Sequence, residues 1–273
     1  MTDQLYHLAF QFLEQEPEAA ARQLELRPSN DVIQFLKNTP APTVSRVLQA
    51  MLAEYTATIL SEADEGDAQL WLSGLRNQTI CRIFRRLDAD DQQRLLNVLS
   101  LKNKTACQLL LSFREDMVGA IVETDIMVLP NDMTAGDGLQ RLKKRQYQED
   151  RIIFVTDDNK RFRGQLSLHR LLRTNTGLLI GDIFEPYTTF ISSRSLIRNA
   201  VNHPLWQDEE IAPVLNRQQE LIGALAYSQL RNHLSKTTDD VVANSDDSAI
   251  IDILHSHGDS MRALLDTLLK ARV

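Results

Sequence analysis

At 273 residues, 43% hydrophobic and 25% charged, the chain has the composition of an ordinary soluble protein, long enough for about two domains. A net charge of −7 argues against general nucleic-acid binding, which needs Lys and Arg to neutralise phosphates. No window holds the ~18 uninterrupted apolar residues of a membrane span, and Asp3, Gln4 and His7 break any apolar N-terminal leader.

Residues 1–123 carry net charge −5 and almost no strand pattern. Apolar residues recur at i, i+3, i+4: Val32, Ile33, Phe35 and Leu36; Val44, Val47, Leu48 and Met51; Ile80, Ile83, Phe84 and Leu87. Helix-start signals at Ser29-Asn30-Asp31, Pro42-Thr43, Asp64-Glu65, Asp88 and Asn103 punctuate the run. The spacing predicts serial short amphipathic helices stacked as a superhelix or bundle. Such a stack presents a surface to a protein partner or is a plain scaffold. Cys81 and Cys107 fall inside these apolar stripes and read as reduced core thiols of a cytoplasmic protein, not a disulfide or metal site. Residues 103–124 read as one longer helix interrupted at Gly119.

An internal repeat follows over 124–236, with net charge +2. The first copy, 124–175, reads as a strand at 126–129, a helix over 134–145, a strand at 152–155, then strand and helix over 162–172. The second copy, 180–236, reads as a strand at 187–192, a helix over 195–203, a strand at 211–215, then strand and helix over 221–234. Helical faces bearing Leu139 and Leu142, and Leu196, Ile197 and Val201, suggest pairing with a second chain. Residues 237–273 carry net charge −4 and read as a polar linker, then an amphipathic helix over 249–273. His255 and His257 lie two apart, pointing to opposite helix faces, so they do not share one ion easily. No nucleophile–base pair, phosphate loop or paired-carboxylate signature stands out, and the chain reads as non-enzymatic.

The two copies resemble a tandem pair of CBS (cystathionine-β-synthase) domains. The helical array, with Glu115, Asp116, Gly119 and Thr124 at its end, resembles the cytosolic part of MgtE-type magnesium transporters, without the membrane domain. Val118 and Ala120 depart from that pattern. The resemblance implies an α+β chain: an all-α N-domain, a CBS pair and a C-terminal helix. It implies a cytoplasmic regulatory protein that senses a ligand by rearranging its domains, homodimeric through the CBS pair. The alternatives are a constitutive interaction scaffold with decayed ligand sites, or a soluble fragment of a full transporter.

The family's ligands are Mg²⁺ and adenine nucleotides. Glu115 and Asp116 are the best-matched candidates for the metal. The nucleotide pattern, Gly-h-x-Ser/Thr-x-x-Asp, becomes Gly164, Ser167 and Arg170 in copy one, and Gly223, Ala226 and Gln229 in copy two. Arginine has no acceptor for a ribose hydroxyl, but it can hold a phosphate. The expectation is a lost ribose clamp and, at Ser167 and Arg170, a place for an anion.

Overall fold

The computed structural model describes residues 2–144 and 152–242. The expected tail helix over 249–273, with His255 and His257, lies outside the described residues. The chain divides into two compact units that meet between residues 108 and 109.

The first unit is helical: α1 (Thr2–Gln15), α2 (Pro17–Leu24), α3 (Ser29–Lys37), α4 (Ala41–Ala50), α5 (Ala53–Glu62), α6 (Glu65–Ser73), α7 (Asn77–Phe84), α8 (Ala89–Val98) and the start of α9 (Leu101–Leu111). From α2 onward a new helix begins every 12 residues, at 17, 29, 41, 53, 65, 77, 89 and 101. The core keeps the same period. Leu24, Leu36, Leu48, Leu60, Leu72, Phe84 and Leu96 are all buried, and so are Val47, Ile59, Trp71, Ile83 and Leu95. One 12-residue unit is a two-turn helix plus a short turn, too small to bury its apolar stripe alone. Each helix therefore packs on the next but one: α2 on α4, α3 on α5, α4 on α6, α5 on α7, and α6 on α8.

Polar side chains complete the helix ends. The carboxylates of Asp64 and Asp88 accept from the backbone N–H of Asp67 and Asp91, at 3.0 and 2.8 Å. At the C-termini the orphan carbonyls find cations. Arg94 donates to Ser61 O at 2.8 Å, and Arg82 to Gln49 O at 3.2 Å. Cys81 and Cys107 are both free and buried. Their mutual hydrogen bond and burial push the Cys81 thiol far above its ordinary range.

The second unit holds both repeat copies. Copy one contains β1 (Val128–Pro130), α10 (Ala135–Lys144), β2 (Ile152–Thr156), β3 (Phe162–Ser167) and α11 (Leu168–Arg173). After α12 (Ile180–Ile183) and β4 (Glu185–Pro186), copy two contains β5 (Ile191–Ser192), α13 (Ile197–Ala200), β6 (Ile211–Leu215), β7 (Leu221–Ala226) and α14 (Tyr227–Val242). In each copy a parallel pair is followed by an antiparallel pair: β1 with β2 and β2 with β3, then β5 with β6 and β6 with β7. The register breaks at equivalent places, Val155/Thr156 and Val214/Leu215. Met127, Leu129, Ile153, Val155, Leu166, Leu171 and Ile180 form the core of copy one.

The copies exchange their lead-in segments. β4, which leads into the first strand of copy two, pairs antiparallel with β3 of copy one. Glu123, which precedes copy one, makes the matching bridge to Ala224 in β7, with N–O distances of 2.8 and 2.9 Å. Two glycines permit this. A Cβ on Gly164 would stand 2.1 Å from Glu185 O, and one on Gly223 would stand 2.3 Å from Glu123 O. A second reciprocal contact joins the hairpin turns: Phe162 N donates to Gln219 O at 3.0 Å, and Leu221 N to Lys160 O at 3.2 Å.

The expected long helix over 103–124 is corrected: α9 ends at Leu111, and only a 3-10 turn, Val118–Ala120, follows. The backbone N–H groups of Val118 and Gly119 donate to Ser195 O and Ser193 O of copy two, at 2.9 and 2.8 Å. Those bonds replace the helical ones. The first strand of each copy is shorter than expected, and the helix expected over 195–203 forms only at Ile197–Ala200. The helical faces expected to be spare are largely occupied: Leu139 and Leu142 pack against the copy-one core, and Ile197 is buried.

Candidate functional site

Gly164, Ser167 and Arg170 come together where β3 passes into α11. Each is committed to an internal contact. Gly164 gives β4 its close approach. The Ser167 hydroxyl caps α11, accepting from Arg170 N at 3.2 Å. The Arg170 guanidinium donates from Nη1 to Glu185 Oε1 at 2.8 Å, with both side chains well exposed. At the place expected for an anion, the Ser167 oxygen and the Arg170 guanidinium each bond a protein group.

Copy two repeats the arrangement with different chemistry. Ala226 has no hydroxyl to cap α14. Gln229, at the position equivalent to Arg170, donates from Nε2 to Ile121 O at 3.0 Å. In both copies the side chain in the expected ribose-acceptor position is a donor, turned onto the lead-in segment of the other copy. Both substitutions are legible in the sequence; their partners are not. Glu185 is 15 residues from Arg170, and Ile121 is 108 from Gln229. No local period links such pairs.

The face of β2 and β3 away from the copy-one core carries aromatics that sequence reasoning did not single out. Phe154 and Phe162 stand 6.1 Å apart between ring centroids, and Phe162 and Tyr187 6.5 Å apart, edge to face. Gln165 lies opposite Phe154 across the hairpin, and its Nε2 is buried without a hydrogen-bond partner. Burial, with Glu209 and Asp208 nearby, pushes the Tyr187 phenol above its ordinary range. In copy two the rings of Trp206 and Tyr227 stand 5.2 Å apart between centroids, tilted by 36°. The period-2 alternation of Phe154 with Ile153 and Val155 was the available signal that one strand residue points away from the core.

Glu115 and Asp116 lie in the turn between α9 and the 3-10 segment. Asp116 pairs with Arg114, and its backbone O accepts from Ile197 N at 2.9 Å. Among the described residues no group of three or more His, Cys, Asp or Glu is placed to hold a metal ion. No described helix is long and apolar enough to cross a membrane.

This is a helical repeat domain followed by a tandem CBS pair. Residues 15–116 match the family model of the MgtE intracellular N domain. The magnesium transporter MgtE of Thermus thermophilus is 21% identical over 160 residues, covering 58% of this chain and 36% of that protein. The aligned region thus spans about a third of the length of this curated relative. Two solved structures share the fold. One is a cytosolic domain of the Mg²⁺ channel MgtE in complex with ATP, with TM-score 0.55 and 17% identity over 78% of this chain and 93% of that one. The other is the soluble part of a magnesium transporter, with TM-score 0.58 and 15% identity over 87% and 99%. The chain resembles the cytosolic part of MgtE-type transporters, in both its N domain and its CBS pair.

Proposed function

We propose that the chain is a non-enzymatic, cytoplasmic regulatory module built on the plan of the MgtE cytosolic region. It acts by changing the relative placement of its parts when a ligand binds one arrangement better than another. The observation that carries this reading is the reciprocal exchange of lead-in segments between the CBS copies. A ligand that shifts one copy against the other pulls directly on Glu123 and on the turn before it, and so on the chain leaving α9. The copies act as a homodimer with a second chain. Because Arg170 and Gln229 are donors engaged with the other copy's lead-in, adenine nucleotides bind weakly in the ribose-clamped pose.

The test is a thermal-shift series on the full chain with MgCl₂, ATP and AMP, backed by light scattering for the dimer. A ligand selective for the folded state raises the melting temperature. A rise with at least one of them, on a dimer, supports the module. No shift with any ligand favours the second reading, a constitutive scaffold. The occupied Ser167 and Arg170 are the specific observation behind that alternative.

A further inference from the structure

The chain has two cysteines, and the fold brings them together. Cys81 sits on α7 and Cys107 on α9, 26 residues apart in sequence, and both are 0% exposed. The Cys81 thiol donates to Cys107 O at 3.7 Å. The Cys107 thiol donates to Asn77 Oδ1 at 3.8 Å, one turn before Cys81 on α7. Both sulfurs therefore lie in one contact between α7 and α9, wholly inside the helical unit. A thiol is a weak donor, so these hydrogen bonds add little to the hold on α9.

α9 is anchored by few side chains. Of its 11 residues only Cys107 and Leu110 are buried, whereas α7, with 8 residues, buries Asn77, Ile80, Cys81, Ile83 and Phe84. Leu101, the first residue of α9, is 81% exposed. An element with so little buried surface opens locally at less cost than unfolding the whole domain. While α9 is docked, the hydrogen bond to Cys107 and burial keep the Cys81 thiol protonated and unreactive. When α9 lifts, the sulfurs meet solvent; when it returns, they meet each other.

We propose that Cys81 and Cys107 form a redox latch: a hydroperoxide converts the thiol pair into a disulfide that locks α9 onto α7. The peroxide, ROOH, oxidises one thiol to a sulfenic acid and leaves as ROH. The second sulfur, losing its proton, attacks the sulfenic sulfur; the S–S bond forms, the S–O bond breaks and water leaves. The pair of thiols loses two electrons and two protons in all, and the peroxide gains them. Excess small thiol reverses the bond by exchange. In a reducing compartment such a bond is transient, as redox-sensing disulfides there are. Its mechanical effect falls on α9, the helix through which the chain leaves the helical unit.

The test is treatment of the full chain with hydrogen peroxide, then alkylation with N-ethylmaleimide in urea, peptide mapping and a melting curve. The expected product is a single chain with neither cysteine alkylated and a linked Cys81–Cys107 peptide. Closing a loop of this length restricts the unfolded chain, so the melting temperature should rise by about 5 °C or more and fall back with dithiothreitol. Cys81→Ala and Cys107→Ala should each abolish both the linked peptide and the rise. The wild-type peptide map decides by itself should either variant fail to fold. Full alkylation of both cysteines after peroxide overturns the proposal. So does a disulfide between two chains, or sulfinic acid at either position without the linked peptide. A Cys81–Cys107 bond that leaves the melting temperature unchanged or lowers it also overturns the latch, because the docked helices would then not accommodate the bond.

Discussion

Arg170 donates to Glu185 at 2.8 Å and so ties the last helix of copy one to the strand that enters copy two. The position is held by an acceptor in the nucleotide pattern that the sequence resembles. Here it carries a donor, and the acceptor belongs to the protein itself. The exposed pair contributes at most about 1 kcal/mol to stability, so its consequence lies in what copy one can bind.

Arg170→Asp in a Glu185→Gln background restores an acceptor without placing two carboxylates together. Calorimetric titration should give no micromolar AMP binding for the wild type and tighter binding for the double variant. Micromolar AMP binding by the wild type, unchanged by Arg170→Asp, would show that the position has no bearing on nucleotide.

Gly164→Ala and Gly223→Ala should each destabilise the chain by about 2–3 kcal/mol, because the new methyl group overlaps a carbonyl of the exchanged segment. Gly177→Ala is the control. Its Cβ meets only Asn175 Oδ1, at 3.5 Å, and should leave stability near that of the wild type. Urea denaturation of the three variants checks the order.

Leu48→Ala should cost about 2–5 kcal/mol, since the side chain is fully buried in the periodic core. Leu26→Ser and Leu52→Ser, at exposed positions in the turns, should cost about 0.5 kcal/mol or less. Equal losses at Leu48 and Leu52 would contradict the helix packing described.

Lys37 bridges Asp64 and Asp67 at 2.7 and 3.1 Å. Hydrogen bonds from Lys37 and from Asp67 N hold the Asp64 carboxyl at about 2, against an ordinary 3.8. Its contribution is therefore complete above the unfolded value and is lost as pH falls from about 3.8 toward 2. Lys37→Met should flatten the acid limb of a stability–pH curve over that window. Because the groups are exposed, added salt should shrink the difference between the two proteins.

Low-millimolar Mg²⁺ should leave the radius of gyration nearly unchanged in small-angle scattering. Residues 124–236 carry net charge +2, which leaves little mutual repulsion for a cation to screen. A marked compaction would show that acidic surfaces approach one another in a way their charge balance does not suggest.

The repeat was legible because β2–β3 and β6–β7 keep strand-like runs of Ile, Val, Phe and Leu 59 residues apart, from Ile152 to Ile211. The helical domain was legible as helices, and the candidate nucleotide positions as substituted ones. Its 12-residue period is written in Leu24, Leu36, Leu48, Leu60, Leu72 and Leu96, but it is masked by a second buried register, Val32, Val44, Thr56, Ala68 and Ile80, that shares burial and not chemistry. The stretch after Leu111 misled for another reason. Its helical propensity is overridden by the bonds of Val118 and Gly119 to copy two, whose acceptors lie some 75 residues on. β4, at two residues, is too short to leave a pattern of its own.

The exchanged lead-in segments also constrain how the chain can be divided. Cut between 175 and 180, copy one loses β4 and copy two loses the covalent anchor that holds Glu123 at β7. Each half would then expose a sheet edge shaped for the other's lead-in. A solitary copy could satisfy that edge only by swapping segments with another molecule, at a concentration-dependent cost. Joining two copies in one chain turns the swap into an intramolecular event with a high effective concentration. The linker at 174–179 thus does more than connect: it makes a strand exchange that would otherwise need a second molecule independent of how much protein is present.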